Sequence, residues 1–106
     1  MTVVANSLHA FDAVGLNRGQ ASVLSAIRAL HRPGEPAARQ PSDQDIADWL
    51  AWGINRVTPR RGELQAAGRI LRAGDKPGRF GLRVAVWAPT PEQLSFWKTL
   101  HHGAPR

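Results

Sequence analysis

The sequence predicts an α+β domain in which helices come first and an antiparallel hairpin follows them. Three observations carry this. Apolar residues recur at helical spacing from about residue 7 to residue 67. Beyond Gly68 the pattern shortens and partly alternates among β-favouring residues. Proline and glycine separate the segments, above all at 32–36, 53, 68 and 74–81. The 106 residues suffice for one small domain with one core, and 42% hydrophobic content is that of a globular chain. Residues 1–106 are therefore read as a single domain, with a core over 7–89 and an additional helix over 90–102.

Taken in order, "SLHAFDAV" (7–14) sets Leu8, Phe11 and Val14 near helical spacing and predicts a short first helix, broken at "GLN". "RGQASVLSAIRALH" (18–31) aligns Val23, Ile27 and Leu30 in one stripe with Leu24 beside it, an amphipathic helix that stops at "RPGEP". Residues 32–41 hold three prolines and predict a loop with room for one short extended segment. In "PSDQDIADWLAWG", Ser42 is a good N-cap, Asp43 and Asp45 lie where the helix dipole favours anions, and Gly53 ends the run. Ile46, Trp49 and Leu50 give this helix its inward side, and Asp48 reads as an exposed position.

After a tight "GIN" turn comes a helix over 55–67, with Val57, Leu64 and Gly68 on one side. Asn55 can cap it; Thr58 as cap with Pro59 at the first helical position is equally good chemistry. Gly68 is expected to end it with positive φ. "RILRA" and "LRVAVWA" then predict two strands, with Val84, Val86 or Trp87 as burial candidates. Between them Lys76-Pro77-Gly78 suits a type II turn inside a long basic tip. Finally Thr90-Pro91-Glu92-Gln93 is a capping box opening a helix with Leu94, Trp97 and Leu100. Trp49, Trp52 and Trp87 are expected in the core, where a small domain gains most from aromatic burial.

Charge is unevenly distributed. Residues 55–83 contain eight basic side chains against Glu63 and Asp75, so that stretch alone accounts for the net charge of +6. A basic excess confined to one third of a chain is the electrostatic footprint of a nucleic-acid binder, although a solvated basic surface is common. No apolar run approaches the roughly 20 residues of a membrane span. The first 15 residues lack the basic start and apolar stretch of a secretory leader. Cysteine is absent, which excludes disulfides and thiolate metal sites. The expected compartment is the cytosol, in bacterial terms the cytosol or nucleoid.

Helix 42–52, the "GIN" turn and helix 55–67 form a helix-turn-helix, and the hairpin behind it is placed as a wing. On these residues the sequence resembles the winged-helix superfamily, and most nearly small phage and prophage members that read much like "DIADWLAWGINRVTPRRGEL…GRI" and close on "VW". The resemblance spans roughly residues 7–89, and "NRVTPRxxEL" is its most specific run. The loop 32–41 is longer than usual in that family, and the helix from Thr90 lies beyond the shared core. The resemblance implies a third helix that enters the DNA major groove and a wing that touches the backbone or minor groove. It implies a double-stranded-DNA-binding transcription regulator, with no catalytic role and no cofactor. The alternative is a module that docks a host or replication protein.

At about 100° per residue from Val57, the outer side of helix 55–67 receives Asn55, Pro59, Gly62 and Ala66, all compact enough for close approach. Arg56, Thr58 and Glu63 flank it. The DNA-contact candidates are Asn55, Arg56, Thr58, Arg60 and Arg61 on this helix, and Lys76, Arg79 and Arg83 on the wing. Arg60 and Arg61 fall beside the core stripe, where their stems can pack; Arg60 either supports the fold, pairing with Glu63, or holds a phosphate. Phe80 either closes the hairpin or touches a partner. Phe96, Trp97 and Leu100 on the last helix pack on the first helix or form a dimer or partner seam. A homodimer would help a domain with so small a DNA footprint. His9, His31, His101 and His102 are scattered and read as surface groups, with His101-His102 at most an adventitious metal site. No phosphate-binding glycine loop and no paired-carboxylate site stands out, so no metal and no catalytic residue is assigned.

Overall fold

A computed structural model describes residues 15–90. The expected helix over 7–14, the helix from Thr90 and the group Phe96, Trp97 and Leu100 lie outside the described residues. Within them run α1 (Arg18–Leu30), a 3-10 turn (Ala37–Arg39), α2 (Asp43–Leu50), α3 (Ile54–Ala66), β1 (Ile70–Pro77) and β2 (Arg83–Pro89). The two strands form one antiparallel hairpin. This is an α+β arrangement of three helices and a two-stranded sheet.

The starts of α1 and α2 follow from side-chain caps. Asn17 accepts from the Gln20 amide nitrogen at 2.8 Å while the Gln20 side chain accepts from Asn17 N–H at 3.1 Å. Ser42 and Asp45 repeat this reciprocal box on α2, with Ser42 N–H donating to Asp45 Oδ2 at 2.9 Å. Such caps are worth about 1 kcal/mol each. Between α1 and α2 the buried Gln40 side chain bonds both backbone groups of Arg32 and the Glu35 carbonyl, which closes the proline-rich loop. That loop carries a 3-10 turn instead of the short extended segment the sequence left room for, because Gln40 satisfies its backbone internally.

The turn between α2 and α3 is three residues, and its geometry differs from expectation. Ala51, not Gly53, takes the left-handed conformation, with φ 58°. Its N–H and that of Trp52 return to Asp48 and Ala47 carbonyls at 3.3 and 2.9 Å, the paired closure of a Schellman end. Gly53 becomes the N-cap of α3, which has no side-chain cap. Asn55 and Thr58 are thus inside α3, and Pro59 is its sixth residue. Neither capping scheme holds, because Ala51 reverses the chain early enough for the helix to start at Ile54. Pro59 has no N–H to return to the Asn55 carbonyl. At the other end Gly68 closes α3 as expected, with φ 75° and bonds from Gly68 and Arg69 N–H to Gln65 and Leu64 carbonyls.

The core joins the three helices and both strands: Val23, Leu24, Ala26 and Ile27 of α1, Ile46 and Ala47 of α2, Val57 and Leu64 of α3, Ile70 of β1 and Trp87 of β2. Trp52 packs against it half-buried. Trp49 is 58% exposed, against expectation. On an eight-residue helix whose inward stripe is Ile46, Ala47 and Leu50, position 49 falls about 100° off the centre of the stripe.

The hairpin also departs from the sequence reading. Strand β1 runs on through Lys76 and Pro77, so Lys76-Pro77-Gly78 is not the central turn. The reversal is made by Gly78–Gly81, with Gly81 N–H donating to Gly78 O at 3.1 Å and Gly78 N–H to Leu82 O at 2.7 Å. A bulge between Arg72 and Asp75 shifts the register there. Gly74 sits in it with φ 121°, and a Cβ at that site would lie 2.9 Å from that of Ala37, so the 3-10 turn can rest on the strand only with glycine there.

Candidate nucleic-acid interface

The outer side of α3 matches the wheel. Asn55, Pro59 and Ala66 are exposed and Gly62 half-exposed, while Val57 and Leu64 are fully buried. Arg56 is exposed, and its guanidinium lies over the Trp52 ring at 3.8 Å from the centroid. The ring holds the cation at the helix start without neutralising it. Among the described residues Arg56 makes no ion pair.

Other candidates on this helix are tied inward. Arg61 Nε and an Nη donate to Asp43 Oδ1 and Oδ2, both at 2.9 Å, and its guanidinium stacks on Trp87 at 4.2 Å. Its side chain is 17% exposed. The Thr58 hydroxyl donates to the same carboxylate at 3.0 Å. Arg60 pairs with Glu63 at 2.8 Å, and its stem lies along Gly19 of α1. Glu63 also accepts from the Gln20 side chain at 2.8 Å; that bond, with Arg60 adding to it, lowers the Glu63 carboxyl below its ordinary range.

The hairpin cations are likewise engaged. Lys76 is not at a tip: its ammonium donates to Gln40 O at 2.8 Å and to Asp45 at 2.6 Å. Burial opposes ionisation of Asp45, yet Lys76 and Ser42 outweigh it, and the carboxyl sits below its usual value. Arg79 pairs with Asp48 at 2.9 Å, and Arg72 and Arg83 both pair with Asp75.

The three aspartates of α2 are the part sequence reasoning missed. Capping and exposure seemed to account for them, but Asp43, Asp45 and Asp48 each hold a cation of α3 or the hairpin. The available signal was three acids within six residues of helix in a chain whose next third carries the whole basic surplus. The charge excess seen along the chain is thus partly neutralised in space. Arg72, Arg79 and Arg83 remain outward, with side chains 57%, 57% and 64% exposed.

Between α2, the start of α3 and the hairpin runs a groove of about 670 Å³, bordered by Ile54, Arg61, Lys76, Arg79 and Trp87. The start of α3 and the hairpin tip therefore line one concavity. Beyond it project Phe80 and Leu82, 90% and 76% exposed; Phe80 does not close the hairpin. No group of His, Cys, Asp or Glu suited to a metal occurs among the described residues, and no helix among them is long and apolar enough to cross a membrane.

No family model matches the chain, and no curated protein matches it. Among solved structures it resembles a protein of unknown function from Listeria innocua Clip11262, at 18% identity and a TM-score of 0.51, over 99% of this chain and 76% of that one. This likeness concerns the fold alone.

Proposed function

We propose that the chain is a winged-helix protein that binds double-stranded DNA, with α3 as recognition helix and the β1–β2 hairpin as wing. In this reading it is a transcription regulator of phage or mobile-element type and carries out no catalysis. The observation that carries the reading is an exposed α3 start, bearing Asn55 and Arg56, followed by a hairpin whose Arg72, Arg79 and Arg83 stay outward. The compact outer side of α3 supports it, since nothing there prevents the helix from lying deep in a groove. Asn55 and Arg56 take the base edges; Arg72, Arg79 and Arg83 take phosphates. Arg61 and Lys76 belong to the scaffold.

The test is anisotropy of a labelled random-sequence duplex across a salt series. Three phosphate-holding arginines give a log–log slope of about −3. Arg56→Ala lowers the preference for a selected site over random duplex, and Arg79→Ala weakens both about equally. Absence of binding at low salt overturns the proposal.

The exposed Trp49 favours a second reading, docking of a host or replication protein on α2. Under the first reading Trp49→Ala leaves duplex affinity unchanged; under the second it abolishes capture of the partner.

A further inference from the structure

Phe80 stands at the apex of a turn closed by backbone bonds on both sides, from Gly78 to Leu82 and from Gly81 to Gly78. Among the described large hydrophobic residues none is more exposed than Phe80, and Leu82 is next. Two bare apolar side chains side by side on a closed hairpin tip present an apolar point to whatever partner the tip meets. Arg79 and Arg83 flank the pair; Arg79 is held by the exposed Asp48 carboxylate, and Arg83 by the Asp75 carboxylate and backbone carbonyl. Exposed pairs of this kind exchange one anion for another at little cost.

We propose that Phe80, backed by Leu82, is a wedge that enters the base stack of duplex DNA while Arg79 and Arg83 hold the flanking phosphates. This rests on the DNA-binding reading above and adds a deformation to it. The partner must offer an apolar interior, thin enough for one ring, between anionic rims. Stacked base pairs between two phosphate rails meet that description. An anionic bilayer offers apolar depth too, but two side chains with no amphipathic helix beside them give little anchorage. The exposed start of α3, with Arg56, supplies a second element for the same duplex. Insertion of an apolar wedge unstacks a base step and kinks the helix, most easily at pyrimidine–purine steps.

The experiment uses the full chain and a duplex with an alternating TA centre, carrying 2-aminopurine in place of its adenines and a dye pair at its ends. The unaltered protein raises 2-aminopurine fluorescence and brings the ends together. Phe80→Ala, at a site too exposed to affect folding, loses both signals and about tenfold in affinity. Phe80→Trp restores them. Phe80→Ala that binds and bends like the parent overturns the wedge. So does a variant that loses only its binding to phosphatidylserine vesicles. If the parent binds, Arg56→Ala weakens it and no unstacking occurs, the wedge alone fails. If the parent binds no duplex at all, the DNA reading fails with it.

Discussion

Replacing Arg61 by methionine separates scaffold from interface most cleanly. The sequence made Arg61 a DNA contact, whereas in the structure it buckles α3 to the start of α2 and to β2. Its two bonds to Asp43, both at 2.9 Å, are charge-assisted, each worth roughly 1.5–3 kcal/mol when lost. Its stack on Trp87 adds roughly 1 kcal/mol. Methionine retains part of the stem packing but leaves Asp43, only 16% exposed, without its cation. Breaking a fully buried pair removes about 3–5 kcal/mol, so this partly buried one should lose about 2–4 kcal/mol. For a domain of this size that lowers Tm by roughly 10–25 °C. Urea unfolding followed by tryptophan fluorescence measures it, with Asp43→Asn and the double variant completing a cycle whose coupling should exceed about 1 kcal/mol. Arg61→Lys should recover little, because a point charge can neither grip both carboxylate oxygens nor stack. The reasoning is refuted if Arg61→Met shifts stability by less than about 0.5 kcal/mol and the cycle is additive.

Lys76→Met should loosen the hairpin, with faster amide exchange over 72–86, while changing duplex affinity less than Arg56→Ala does. Asp45, whose folded pKa lies below its ordinary 3.8, contributes stability that is complete above that value and disappears as pH falls through the lowered one. Acid titration of stability should therefore drop less steeply in Asp45→Asn, with Glu63→Gln as the control for the other lowered carboxyl. Ala51→Gly should raise stability by up to about 1 kcal/mol by removing left-handed strain, and Gly68→Ala should lower it by about as much. Thermal melts of the two variants read opposite signs if the backbone accounts for both.

Much of the fold was legible because its signals are local. Ser42 with Asp45 three residues later, and Gly68 after an apolar period, each mark a boundary within one helical turn. The start of α3 was not, since an alanine at Ala51 carries no mark of the left-handed role it takes. Trp49 misled because hydrophobicity was read without the narrowness of an eight-residue stripe. In the candidate interface the compact outer side of α3 followed from periodicity alone. Which cations are available did not follow, because Arg61, Lys76 and Arg79 find their carboxylates 18, 31 and 31 residues away. Charge counted along a chain ignores that folding returns acids to bases.

Those same separations bear on the order of folding. Asp45 and Asp48 meet Lys76 and Arg79 only after the hairpin has folded back over 31 residues, so loop entropy is spent before these pairs form. The helices, with their short connection, are the element that assembles early, and hairpin docking is the late event. Interactions made after the barrier govern escape from the native state rather than arrival at it. Added salt should thus raise the unfolding limb of a chevron and leave the refolding limb nearly untouched, making α2 a latch on the lifetime of the folded chain.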